Sequence, residues 1–199
     1  TCEPIDTVRG ITNLSSGKMG FAVAQAAVEA GAQVTLIAGP TALATPTGVR
    51  RENVMTAREM HRAVMAHVAE ADVFIGVAAV ADYYVANASD RKLKKSNGKP
   101  RIELEENPDI LAEVAALPNA PYCVGFAAET ENLHEYAQAK RASKKIPLLA
   151  ANLAHNAFGR DENELILFHD EGETRLPRAS KLEVARGLIR EIAARLPNR

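Results

Sequence analysis

The sequence predicts an α/β domain: a three-layer, doubly wound arrangement with a mostly parallel sheet and an antiparallel hairpin near its C-terminal end. Three observations carry this expectation. Short apolar runs alternate with segments of amphipathic helical spacing. The runs are apolar throughout rather than at every second residue, as strands covered by helices on both faces are. Breaks between segments fall at capping residues and glycines.

Residues 18–31 (KMGFAVAQAAVEAG) are alanine-rich with apolar residues at helical spacing and end at Gly31, where a helix readily stops. QVTLIAG (33–39) follows as a β-branched apolar run, completing half of a βαβ unit. Thr56 and Glu59 form a capping-box pattern ahead of the helical stretch AREMHRAVMAHVAEA (57–71), which leads into the strand-like DVFIGVAAV (72–80). Asn107-Pro108 is read as the cap and first turn of a helix over PDILAEVAAL (108–117), followed by a strand YCVGFA (122–127). LHEYAQAKRASKK (133–145) reads as helix and PLLAAN (147–152) as strand. ELILFHDEGETRLP (164–177) reads as a hairpin about an acidic-glycine turn, and a last helix is expected from Ser180. The architecture is Rossmann-like, and its ligand is expected at the carboxyl ends of the strands. It normally leads with a strand, yet the sequence opens TCEPID with none before the first loop; residues 1–199 are therefore expected to form one domain that is N-terminally trimmed or excised from a longer chain.

With 199 residues, 47% hydrophobic, 25% charged and a net charge of −1, the composition suits one domain with a sizeable core and disfavours a nucleic-acid coat or a disordered tail. No charged-then-apolar leader and no membrane-length apolar run occurs, so a cytoplasmic protein with no membrane partner is expected. Cys2 and Cys123 are read as plain thiols. The five histidines include no ligand-spaced pair, so no protein-held metal is expected; a metal would arrive with a phosphate ligand, as magnesium does.

NLSSGKMG (13–20), just ahead of the first helix, has the make-up of a phosphate-holding loop, because the first N–H groups of a helix are unpartnered and carry the positive end of its dipole. A nucleoside-triphosphate P-loop is excluded: Lys18 precedes Met19 rather than Ser or Thr, and Gly10 lies too far upstream. Gly17 and Gly20 supply half of a dinucleotide fingerprint. There remain a polar anion cradle of Ser15, Ser16 and Lys18 around free amides, and an ordinary serine-capped helix start. Residues 77–101 (VAAVADYYVANASDRKLKKSNGKPR) are expected to stay irregular. Asp82 stands near a strand's carboxyl end, and Arg91, Lys92, Lys94 and Lys95 suggest a mobile cationic flap over a polyphosphate. Lys140 and Lys144 share one helix face, placed either to grip phosphates or to face water. Tyr136 and Lys140 have the Tyr-x-x-x-Lys spacing of short-chain dehydrogenases but lack the Thr-Gly-x-x-x-Gly-x-Gly loop of those enzymes. An NAD(P)-dependent oxidoreductase is thus one alternative reading, and a noncatalytic nucleotide-binding module another.

Taken together, TxEPIDxVRxITNxSSGKMG, GVAAVADY, the KLKK flap, ENPDIL and VGFAAET resemble the phosphopantothenoylcysteine synthetase family of coenzyme A biosynthesis, in one order over nearly the whole chain. The resemblance implies a ligase: the carboxylate of 4'-phosphopantothenate attacks the α-phosphate of CTP, pyrophosphate leaves, and the amine of L-cysteine displaces CMP from the acyl-cytidylate. It implies Asn13 as the residue orienting the acyl-cytidylate and Lys92 as the lysine of the first step. It implies CTP binding by Gly76, Val77, Ala78, Asp82, Lys92, Pro108, Asp109, Ile110, Leu111, Phe126, Lys140 and Lys144. The acyl substrate would be held by Arg9, Asn13, Ser15, Ser16, Gly17, Lys18 and Ala79. It further implies Mg2+ carried by the triphosphate, a homodimer, and a flavin-dependent decarboxylase fused or associated upstream, with a strand and a Gly-Gly-Thr loop just before Thr1. Two positions depart from the family's pattern: Asp90 stands where the flap begins with proline, and Leu14 where a basic or polar residue is common.

Overall fold

In the computed structural model, which describes residues 1–94, 98–153 and 160–196, a five-stranded mixed sheet forms the centre. Its strands are β5 (Val73–Gly76), β8 (Tyr122–Glu129), β9 (Leu148–Leu153), β10 (Glu162–His169) and β11 (Gly172–Ser180), in the order β11-β10-β9-β8-β5. The strands β5, β8 and β9 run parallel, with Gly76 opposite Gly125 and Phe126 opposite Ala150. The expected hairpin is β10–β11, turning at Asp170 and Glu171; Gly172 adopts a φ of 128° that a side chain would strain.

Helices cover both faces. On one side α1 (Lys18–Glu29) and α5 (Lys181–Arg195) pack together over Val124, Leu148, Ala150, Leu165 and Leu167. On the other, α2 (Ala57–His67), α3 (Ile110–Ala115) and α4 (Leu133–Lys144) enclose Cys123, Ala127, Leu149 and Ala151. Side chains alternate between faces along a strand, so a run such as Leu148-Leu149-Ala150-Ala151 is buried at every residue only because both faces are covered. The two capping boxes form as the sequence predicts: the hydroxyls of Thr56 and Ser180 accept from the N–H groups of Glu59 and Glu183, whose carboxylates reach back to the caps. No described helix is long and apolar enough to cross a membrane.

Three short pairings lie outside the sequence reading. The chain does carry strands before the first loop: β1 (Cys2–Pro4) and β2 (Gly10–Thr12) form an antiparallel hairpin, docked where buried Glu3 accepts from the N–H of Ala57 at 2.9 Å. The stretch after β5 is not irregular throughout, because β6 (Tyr83–Val85) pairs antiparallel with β7 (Leu104–Glu106). The run QVTLIAG contains β3 (Val34–Ala38), which pairs in parallel with β4 (Val49–Asn53), a segment (VRREN) too charged to read as a strand. Three-residue strands show too little periodicity to be recognised. The helix expected over 108–117 is also shorter, because Asp109, not Asn107, is its cap and accepts from the N–H of Ala112.

Leu149 is fully buried between β9 and the helices α3 and α4. Truncation to alanine is expected to cost about 2–5 kcal/mol, read by urea unfolding as a lower midpoint with an unchanged slope.

Candidate active site

At the carboxyl end of β5 the chain turns tightly: the N–H of Val77 donates to Ile75 O and that of Val80 to Ala78 O. The carbonyls of Ala79 and Val80 accept from Asn13 Nδ2 at 3.0 and 3.3 Å, which seats the loop before α1 on the strand end. Gly20 faces Val77 across this junction, where a Cβ would lie at an ordinary contact distance of 3.8 Å. The loop ends at Gly17, whose φ of 76° makes it the N-cap of α1, and no serine caps the helix. Ser15 and Ser16 make only long contacts, 3.5 Å, to the N–H groups of Gly17 and Lys18. The first turn of α1 thus presents open N–H groups, as a cradle requires. Lys18, by contrast, reaches Asp161 at 2.5 Å. This lysine is drawn toward β10 and is not among the groups closing over the loop.

The turn between β1 and β2 centres on a residue missed in the sequence. The side chain of Asp6 is wholly buried; its Oδ1 accepts from the N–H groups of Val8 and Arg9, and its Oδ2 from Arg9 Nε, Arg9 Nη2 and the N–H of Leu93. Arg9 Nη2 also donates to Leu93 O at 3.0 Å. Leu93 lies between Lys92 and Lys94, so the beginning of the cationic flap is fastened to the turn at its midpoint, and again where Ser89 N–H donates to Ile5 O. The described part of the expected flap is thus tied to the turn at two points; Lys95 lies outside the described residues. Lys92 and Lys94 are exposed on either side of the clamp. The only advance signal for Asp6 was an aspartate three residues before an arginine.

Asn107, read from the sequence as a helix cap, has another role. Its N–H donates to Asp82 O at 2.8 Å and its Nδ2 to Ala81 O at 3.0 Å, so it ties the turn after β5 to the start of α3 instead of capping the helix. Leu111 packs against Gly76 and Gly125, and Ile110 is buried, so both side chains are turned into the core. Asp109 caps α3 with one oxygen and accepts from Lys144 Nζ at 2.5 Å with the other. Burial opposes ionisation of Asp109, but hydrogen bonds from Lys144 and Ala112 and the charge of Lys140 outweigh it and hold the carboxyl below its ordinary range. Lys140 and Lys144 therefore stand beside the nucleotide residues the sequence predicts. The carboxylate of Asp82 is exposed and has no partner among the described residues, while Phe126 is half-buried against the core. Tyr136, the centre of the oxidoreductase alternative, is exposed and has no side-chain partner among the described residues. Buried Cys123 is a thiol whose pKa burial pushes up to about 11.

One cation, Arg9, stands beside the Asp6 carboxylate. Arg9's guanidinium, helped by the three backbone N–H groups and opposed by burial, holds the Asp6 carboxyl far below the usual range. A depressed folded pKa gives a contribution that is complete above the unfolded value of about 3.9 and is lost only as pH falls through the folded value. Protection of the Leu93 amide from hydrogen exchange, corrected for intrinsic rate, is therefore expected to be the same at pH 7 and near pH 4.5. Asp6→Asn is expected to lower that protection by about tenfold or more; equal protection in the variant would contradict the clamp.

Comparisons with known proteins agree with this fold. The chain is 46% identical over 198 residues to the coenzyme A biosynthesis bifunctional protein CoaBC of Haemophilus influenzae and 48% identical over 202 residues to that of Escherichia coli K12, covering 98% of this chain and 50% of each relative. The chain thus spans about half the length of these relatives. Among solved structures, it resembles the C-terminal domain of a CoaBC protein with a TM-score of 0.83 at 38% identity, over 98% of this chain and 90% of that one. A Cab2 variant in complex with phosphopantothenate-cysteine shares the fold, with a TM-score of 0.80 at 18% identity over 98% of this chain and 83% of that one. The model of the DNA/pantothenate metabolism flavoprotein C-terminal domain matches residues 1–196, and the chain belongs to that family.

Proposed function

We propose that the protein is a CTP-dependent ligase that joins 4'-phosphopantothenate to L-cysteine in coenzyme A biosynthesis, through an acyl-cytidylate. The observation that carries this reading is the seating of Asn13 on the carbonyls of Ala79 and Val80. It sets the loop of the acyl substrate directly beside the turn that leads, through Asn107, to α3 and the lysines of α4. Relatives that span twice this length and carry the CoaBC name support the same reading.

In the first step a substrate carboxylate oxygen attacks the α-phosphorus of CTP and pyrophosphate leaves. Charge grows on the α-phosphate and the leaving group, and a lysine beside them lowers the barrier. Lys92 is given this role: it adjoins Leu93, which Asp6 and Arg9 hold in place. Lys140 and Lys144 bind the phosphates, with Lys144 shared between them and Asp109. Mg2+ would arrive with the triphosphate and would add charge neutralisation there; the exposed carboxylate of Asp82, which has no partner among the described residues, is the group that would face it. In the second step the cysteine amine attacks the acyl carbon and CMP departs. Asn13 has spent its Nδ2 hydrogens on two carbonyls, so its Oδ1 is left as an acceptor for the incoming amine.

The exposed Val8, Ile11 and Leu14, with Tyr83 and Leu104 on the adjoining β6–β7 hairpin, support pairing with a second copy of the chain. A cytoplasmic location and a decarboxylase half upstream complete the reading.

Purified protein with Mg2+ and 4'-phosphopantothenate is expected to release pyrophosphate with CTP far better than with ATP, and to form the amide only when cysteine is added. CTP binding without pyrophosphate release would favour the noncatalytic module instead. An aspartate at position 13 sets a carboxylate against the Ala79 and Val80 carbonyls; Asn13→Asp is expected to keep pyrophosphate release and lose the amide product. If both products persist in that variant, the role of Asn13 is wrong.

A further inference from the structure

The roles given above leave one requirement of the second step unmet. Cysteine arrives as an ammonium ion. Its nitrogen must shed one proton before it can attack and another as the amide forms, whereas Asn13 accepts hydrogen bonds and has no basicity. Arg9, Lys92, Lys140 and Lys144 are cations. The step calls for a general base, and a positioned carboxylate can serve as one.

Most carboxylates at this end of the sheet are engaged. The oxygens of Asp6 are filled by Arg9 and by backbone N–H groups, Asp109 is held by Lys144 and Ala112, and Asp161 by Lys18. Asp82 would face the metal ion of the triphosphate, which leaves a carboxylate little basicity, and it stands exposed, as do Glu106 and Glu131. The described histidines are also occupied, His61 by Glu113, His67 by Glu52, His134 by Glu173 and His169 by Thr174; His155 lies outside the described residues. Glu129 differs from all of these. It is the last residue of β8, sits in the ladder opposite Leu153 of β9, and is half-buried, yet its carboxylate has no partner among the described residues.

Register fixes where this residue stands. Gly125 is paired with Gly76, the last residue of β5, so Glu129 lies four residues farther along, about 13 Å beyond the level at which β5 ends. It shares a strand face with Ala127, which packs into the cluster covered by α2, α3 and α4. Glu129 is thus at the strand end next to the turn that seats Asn13, on the side of α3 and of Lys144. In the acyl-cytidylate the carbon under attack is joined to the α-phosphate through one oxygen, so a base for the amine belongs on the nucleotide side. A strand also holds a side chain more precisely than a loop does.

We infer that Glu129 is the general base of the amide-forming step. The inference rests on the ligase reading and adds a catalytic residue to it. The lone pair of the neutral amine forms the C–N bond, and the nitrogen, then positively charged, gives a proton to a carboxylate oxygen of Glu129. The C–O bond to the phosphate breaks, its electron pair leaves with CMP, and Glu129 returns the proton to solvent.

The experiment compares the wild-type protein with Glu129→Gln and Glu129→Asp in three measurements: pyrophosphate release from CTP and 4'-phosphopantothenate without an amine, hydroxamate formed when hydroxylamine replaces cysteine, and amide formed with cysteine. Hydroxylamine is a weak base, largely neutral at about pH 7, and its adduct loses a proton to water unaided, so it bypasses the carboxylate. In Glu129→Gln the expected result is unchanged pyrophosphate release and hydroxamate formation, with amide formation slowed about 100-fold or more; Glu129→Asp, which keeps the carboxylate on a shorter stem, is expected to fall between. Hydroxamate slowed as much as amide would make Glu129 a residue that orients the intermediate. Loss of pyrophosphate release would assign it to the nucleotide or its metal ion, and undiminished amide formation would leave it no part in the step; each of these three outcomes overturns the inference. An inert wild-type protein would instead defeat the ligase reading itself.

Discussion

The buried carboxylate of Asp6 is the constraint on which the arrangement of the site depends. A carboxylate removed from water is tolerated only when its lone pairs are filled and a cation stands beside it. Here the filling groups come from two segments far apart in sequence: Val8 and Arg9 from its own turn, and Leu93 from the flap. The need to satisfy one buried charge therefore fixes where Lys92 and Lys94 begin. The same turn continues into β2 and on to Asn13, so the acyl loop and the cationic segment share one anchor.

A second principle runs through the molecule: cations near the site are placed by internal anions or left open for ligand. Arg9 is held by Asp6, Lys18 by Asp161 and Lys144 by Asp109. Lys92 has no carboxylate partner among the described residues. Exposed pairs such as Lys18 with Asp161 contribute little to stability; their effect is on where the charge points. Stability comes instead from the strands β8 and β9, whose apolar side chains are covered on both faces. Gly125 shows how tightly this core and the site are joined, since a Cβ there would come within 2.8 Å of Leu111 and of Leu149. Any swelling of the core at β8 is transmitted to α3 and the residues proposed to hold the nucleotide.

Much of this was legible in the chain. The helices announced themselves by spacing and by the Thr56–Glu59 cap, β8 and β9 by unbroken apolar runs, and β10–β11 by an acidic-glycine turn. Their causes are local, and local causes can be read from a sequence. β3 was read correctly, but its partner β4 and the pairs β1–β2 and β6–β7 were not legible, because three to five residues of mixed character form strands only when a partner is already in place. The family blocks located the residues that gather around β5, yet Asp6 and Glu3 stood in them without a role and Asn107 was read as a helix cap. Each acts through hydrogen bonds to a distant backbone, which no spacing rule detects. Lys18 was the converse case: its place in the loop pointed to an anion, and its partner is an aspartate in the chain itself.

The central claim is that an acyl-cytidylate forms at the junction of Asn13, Lys92 and the turn after β5. It is tested most directly by supplying 4'-phosphopantothenate labelled with oxygen-18 in its carboxylate, together with CTP and cysteine, and weighing the CMP produced. Attack of that carboxylate on the α-phosphorus transfers one labelled oxygen to CMP, and the account predicts CMP carrying a single heavy oxygen alongside an amide that retains the other. Amide formed together with unlabelled CMP would mean that the carboxylate is activated by another route, and would contradict the account.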